Sequence, residues 1–237
     1  STYYTFQCGG IDLDVVFTTP QVMSDLVLFS TPITYISYQV TPNDGNDHDV
    51  RLYLQTSAEM AIRNTSQTAA TRRKTSNGYE YLYAGNQSQS YLSHTGDIID
   101  WGYLYLFNDN VQGHSLKLGK HDDLMREFAS QGTVTSAIKT RTNQVGTYYS
   151  MIYNDSLGIV TNEGKRAFAM IGYDDTFSIQ YFNSNRKGYW ANNGRTNITA
   201  RFQDLYENYD DIMQLCRNTD LKIYTDGYEV GGQKYAE

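Results

Sequence analysis

Proline and cysteine are scarce in this chain, at 3 and 2 of 237 residues, and the scarcity already narrows its class. A disulfide-stapled fold needs more cysteines in a smaller protein, so Cys8 and Cys216 read as two buried thiols, with one long-range bridge as the alternative. No apolar run approaches the ~20 residues a helix needs to cross a bilayer, which argues against membrane insertion. Positive charge is short as well. Lys and Arg total 19 against 26 Asp and Glu, a net charge of −7, so nucleic acid is not an expected partner. The one basic run, Arg72-Arg73-Lys74, precedes the turn signal Ser76-Asn77-Gly78 and reads as a solvated hairpin arm. No signal peptide opens the chain, and its first residue is Ser, which reads as a piece excised from a longer protein.

Catalytic signatures are also missing. There is no Gly-x-Ser-x-Gly elbow, and neither cysteine lies in a Cys-x-x-Cys context. His48, His94, His114 and His121 are scattered, without a metal-binding helix motif or a close imidazole pair, so no metal or other cofactor is expected. Asp44, Asp47 and Asp49 crowd one loop but miss the calcium-loop spacing. Asp174 and Asp175 have two readings, as a general acid or ligand contact at a sheet edge and as turn residues accepting backbone hydrogen bonds. With no partner carboxylate assigned, the turn reading is preferred.

What is present is strand material. The chain holds 22 tyrosines and 19 glycines, and its 40% hydrophobic fraction suffices for a sizeable core. In the segment Asp100–Phe107, Trp101, Tyr103, Tyr105 and Phe107 fall on one strand face and Leu104 and Leu106 on the other, which predicts a strand buried on both sides. Period-2 alternation marks further strands at Ile11–Phe17, Ile33–Val40, Val50–Gln55, Tyr79–Tyr83, Thr147–Tyr153, Arg166–Ile171 and Phe177–Phe182. The Pro42–Asp47 cluster predicts a hairpin between two of them, and Asn77-Gly78 a type I′ turn. Asn64–Lys74 is too polar to read as a strict strand. Helical spacing appears twice: over His121–Gln131, with Asp122 as its cap and Gly132 as its end, and over Thr196–Arg217. Asp226-Gly227 and Gly231-Gly232 read as linker, and Gln233–Glu237 as the start of a new helix. The fold class is therefore all-β: a two-layered antiparallel β-sandwich with a short helix and a C-terminal amphipathic helix on its flank. The expected division is residues 1–194 for the sandwich, 195–218 for the helix and 219–237 for a linker.

The order of several phrases carries a resemblance over nearly the whole chain. They are Thr2–Phe6, Val15–Pro20, His48–Tyr53, Ser57-Ala58-Glu59, Asp100–Leu106, Tyr173-Asp174-Asp175 with Ser178–Phe182, Trp190, the helix from Thr196, and Gly231–Glu237. In that order they resemble the large β domain of the glutaminase A family. The resemblance implies a secreted, periplasmic or cell-surface multidomain parent in which a helical (α/α) toroid follows the sandwich. It implies a parent that hydrolyses L-glutamine to L-glutamate and ammonia, or acts on another amide or a glycan. The toroid would carry the catalytic groups, so no catalytic residue is assigned here, and the fragment alone is expected to be inactive. The candidate cleft or interdomain contacts are Asp174, Asp175, Trp101, Tyr103 and Trp190. The alternative reading is a carbohydrate-binding or accessory module of a glycoside hydrolase, with exposed aromatic rings stacking on sugars.

Overall fold

A computed structural model describes residues 1–93, 99–135 and 149–236. His94, Thr147 and Tyr148, which bear on the readings above, lie outside the described residues. Along the chain come strands β1 (Thr2–Cys8) and β2 (Ile11–Thr18), helix α1 (Leu26–Ser30), then β3 (Ile33–Pro42), β4 (His48–Ser57), β5 (Ala69–Ser76), β6 (Tyr79–Asn86), β7 (Tyr103–Asn108) and β8 (His114–Lys120). Helix α2 (His121–Gln131), β9 (Tyr149–Val160), β10 (Lys165–Asp174), β11 (Ile179–Tyr181) and β12 (Ser184–Arg186) follow. The C-terminal part is helical: α3 (Ile198–Glu207), α4 (Tyr209–Gly231) and α5 (Gln233–Ala236).

Two antiparallel sheets form the sandwich. The larger has seven strands in the order β1-β2-β3-β10-β7-β6-β5, and the smaller has three, β4-β9-β8. Strand β7 lies inside the large sheet, paired with β10 on one side and β6 on the other. Its period-2 pattern places Leu104 and Leu106 toward the small sheet, in a core with Leu82, Leu118, Met151 and Ala169. Tyr105 and Phe107 face the other way, into a second core with Tyr35, Tyr81, Met170 and Phe202 of α3. Helices α3 and α4 thus add a third layer over the outer face of the large sheet. The ring of Phe202 stacks on Phe107 with centroids 5.6 Å apart and meets the Tyr81 edge at 5.8 Å.

Tyrosine suits this interface because a ring fills the core while its hydroxyl reaches a backbone carbonyl. Tyr35 Oη donates to the Leu205 carbonyl at 2.7 Å, one of the last carbonyls of α3, which has no partner inside the helix. Tyr81 Oη donates to the Thr199 carbonyl at 3.2 Å. On the opposite side of the sheet, β1 and β2 extend past the narrower small sheet. An apolar cavity of about 490 Å³, lined by Phe6, Leu13, Val15, Phe17 and Leu52, opens there.

Several expectations need correction. The Pro42–Asp47 turn does not close a hairpin, since β3 and β4 belong to different sheets and the turn crosses between them. Asn77 and Gly78, at φ 50° and 85°, do make the tight turn between β5 and β6. Residues 69–76 are consequently a strand despite their polarity, because β5 is an edge that leaves Arg72 and Lys74 in solvent. Only Ile179–Tyr181 of the Phe177–Phe182 segment is strand, in a small exposed hairpin with β12. The Thr196–Arg217 helix is two helices. Asn208 breaks it at φ −107°, ψ 23°, with its side chain donating to the Asp204 carbonyl at 2.8 Å. Residues 219–231 continue α4 as helix instead of forming a loop. Helix α2 has Lys120 at its N-cap position, with no side-chain cap, so Asp122 sits in the first turn, while Gly132 at φ 66° ends it as expected. Both cysteines are free thiols, and Cys8 is exposed where burial was expected.

Candidate functional site

The ends of the large sheet carry two different clusters. At one end lie all five residues singled out in the sequence. β7 begins there, β10 ends there, and Asp174 pairs with Tyr103 in the ladder between them. Gly102, at φ 87°, lies so close to the Asp174 carbonyl and the Asp175 Cα that any side chain would collide with them. The surrounding loops are joined by hydrogen bonds. Trp101 Nε1 donates to the Phe177 carbonyl at 3.1 Å, and Tyr173 Oη donates to the Trp101 carbonyl at 2.6 Å. The amide of Gly102 donates to Gln89 Oε1 at 2.6 Å, and Gln67 Nε2 donates to buried Asp100 at 2.7 Å.

Asp174 behaves as a turn former, its Oδ1 accepting from the Thr176 amide at 2.9 Å. Thr176 itself stands at φ 63°, a conformation that costs a β-branched residue energy, and the Phe177 amide donates back to the Asp175 carbonyl at 2.6 Å across it. Strained residues of this kind concentrate at functional loops. Asp175 is half-buried, and burial raises its carboxyl pKa above the usual range. The Ser178 hydrogen bond opposes that rise, and the Asp174 charge adds to it. Burial likewise pushes Tyr173 up to about 12. Tyr103 is half-buried, with its ring at the edge of Tyr83, which in turn stacks on Tyr105.

Trp101 and Trp190 are only 6% and 3% exposed, so neither offers a face to a ligand or a neighbouring domain. This corrects the expectation that they form a platform or a docking patch. Trp190 packs with Val22, Leu28 and Phe202 under the helical layer, close against Gly188. Exposed rings at this end include Tyr181, Phe182 and Tyr189, at 58%, 85% and 64%, together with Ile179.

The opposite end holds a cluster that no sequence spacing announced. His114, the first residue of β8, donates from Nδ1 to Asp109 Oδ1 at 2.7 Å, and its Nε2 lies 3.5 Å from Asp155 Oδ1 on β9. Asp155 Oδ2 accepts from Tyr38 Oη at 2.7 Å, Tyr38 meets Tyr153 Oη at 3.3 Å, and Tyr206 hydrogen-bonds Asp109. Burial alone would lower the His114 pKa, but the two carboxylates overcome it and raise the imidazole to about 9. An imidazolium between two aspartates is therefore the resting form near neutrality. Asp109 and His114 also line a cavity of about 660 Å³ shared by α4 and the large sheet. His121 lies just beyond the far end of β8, hydrogen-bonded to Ser150 at 3.0 Å, about 23 Å along the strand from His114, so the two imidazoles do not meet.

Helix α4 adds a third feature. Up to Cys216 it is anchored in the core, and near residue 220 it passes the N-terminus, with Asp220 3.5 Å from the Ser1 amine. Beyond that point Leu221, Ile223, Tyr224, Tyr228 and Val230 are all exposed. Ser1 touches Thr18, and Thr18 pairs with Tyr35 near the start of β3. The free half of α4 thus emerges at the same end of the sheet as Asp174.

Two comparisons place the chain among known proteins. A family model described as a domain of unknown function, DUF5127, matches residues 1–226. The chain is also 25% identical to Glutaminase A of Aspergillus oryzae over 243 aligned residues, which cover 99% of this chain and 35% of that protein. The chain therefore spans about a third of the length of the curated relative it matches.

Proposed function

The chain belongs to the DUF5127 family, and from that premise we propose that it is the β-sandwich domain of a larger, secreted glutaminase-like hydrolase. In this reading it carries no catalytic group of its own. It supports and shapes the cleft of a helical domain that follows it and acts on a small amide. The observation that carries the reading is the second half of α4. Five large apolar side chains there have no cover, on a helix whose first half is locked into the core. Leu221, Tyr224 and Tyr228 recur at i, i+3 and i+7 on one face of the helix, and an exposed apolar face of this kind favours a docking site. The hairpin with Ile179, Tyr181 and Phe182, beside Asp175 and the strained Thr176 turn, lies at the same end of the sheet and extends the surface toward the partner. The relative's greater length is consistent with such a partner. Against a carbohydrate-binding role, the two tryptophans that would make its platform are buried.

The test compares glutamine hydrolysis by residues 1–237 with hydrolysis by a longer parent chain that includes the following domain. The parent is expected to turn over glutamine and the isolated domain is not. Turnover by the isolated domain, abolished by Asp175→Asn, would overturn the reading.

A further inference from the structure

We propose that the cavity between α4 and the outer face of the large sheet binds a short peptide of two or three residues with both termini free. It stands apart from the docking reading, because its lining reaches along α4 only as far as Arg217, before the exposed apolar half of that helix begins at Leu221. Its floor is set by strand register. Asp14 on β2 pairs with Gln39 on β3, and Gln39 pairs with Arg166 on β10, so carboxylate, amide and guanidinium stand in one row. Its roof is one face of α4, where Asp210, Met213 and Arg217 recur at i, i+3 and i+7. The inner wall is closed by Phe168 stacked on Tyr209 at 3.9 Å, with Tyr209 Oη 2.8 Å from Ser37 Oγ. The deep end is Asp109 and His114, where the carboxylates already hold the imidazole.

The charges decide the ligand class. Asp14, Asp210, Arg166 and Arg217 all line this cavity, two of each sign, and no ion pair joins any of the four to another among the described residues. A ligand of one sign would satisfy one pair and be repelled by the other. A zwitterion satisfies both, its ammonium on a carboxylate and its carboxylate on a guanidinium fork. Length follows from the scaffold. Two strand spacings separate Asp14 from Arg166 by about 9.6 Å. Seven residues of helix separate Asp210 from Arg217 by about 10.5 Å. An extended peptide spans roughly 3.3–3.6 Å per residue, so two or three residues bridge the charges and a single amino acid falls short. Gln39, between the two ends of the row, offers one donor and one acceptor to a peptide bond. A volume of about 660 Å³ accommodates a ligand of this size.

The experiment titrates the whole 237-residue protein with trialanine, N-acetyl-trialanine and trialanine amide, read by calorimetry and by NMR shifts. Trialanine is expected to bind saturably, and blocking either terminus is expected to weaken it about tenfold or more. Asp14, Arg166, Asp210 and Arg217 are all exposed, so Asp14→Asn with Asp210→Asn, or Arg166→Gln with Arg217→Gln, leaves the fold intact. The carboxylate pair of variants should erase the penalty for N-acetylation, and the arginine pair the penalty for amidation. No saturable binding of trialanine, equal binding of the blocked peptides, or unchanged affinity in both double variants would each overturn the proposal.

Discussion

The two ends of the large sheet solve opposite problems with the same kinds of residue. At the His114 end, three charged groups are drawn from β8, β9 and the loop after β7, and each is satisfied by another or by a tyrosine. At the Asp174 end, two adjacent aspartates share a loop with a positive-φ threonine, and the neighbouring hairpin turns its rings outward. The first arrangement closes three strand elements together. The second leaves strain and apolar surface uncompensated among the described residues. Like residues thus hold the fold at one end and expose it at the other, according to whether opposite charge is buried beside them.

Breaking the closed end should have the largest effect. His114→Ala leaves Asp109 and Asp155 buried without their cation and is expected to cost about 3–5 kcal/mol in urea unfolding. The same contact sets a pH dependence. The His114 pKa is raised in the folded state from 6.5 to about 9, so its contribution is complete below about 6.5 and is lost as pH rises through about 9. The loss should be on the order of 3 kcal/mol, and unfolding curves of His114→Gln should be flatter over that window. At the other end, Gly102→Ala is expected to cost about 3 kcal/mol, from both its φ and its contact with the Asp174 carbonyl. Thr176→Gly should sharpen the contrast by relieving a strained turn, with a gain of about 1 kcal/mol in thermal unfolding. Smallest of all, Tyr181→Ser with Phe182→Ser should change the stability of the isolated domain by less than about 0.5 kcal/mol, since both rings are exposed.

The same contrast explains what the sequence made legible. Alternation around Leu104 and Leu106 identified a strand buried on both faces, because period 2 is a local property that tertiary structure preserved. Asn77-Gly78 announced its turn by backbone chemistry alone. Trp101, Tyr103 and the two aspartates were named as candidate contacts alongside the family resemblance, and it is the pairing of β7 with β10 that brings them together. Burial of the two tryptophans was not visible, since an aromatic ring in a loop reads alike whether it faces solvent or core. The His114 cluster left no sequence signal. Tyr38, Asp109, His114, Asp155 and Tyr206 meet only through the stacking of two sheets and a helix. The break at Asn208 escaped because the apolar stripe runs unbroken through it, while a local side-chain hydrogen bond decides the backbone.

Amide hydrogen exchange tests the contrast most directly, comparing residues 1–237 alone with the same residues inside a longer parent chain. The docking account expects added protection in the parent over the β11–β12 hairpin and residues 221–231 of α4, with none added around Asp109 and His114. Identical protection of the hairpin and α4 in both chains would contradict it.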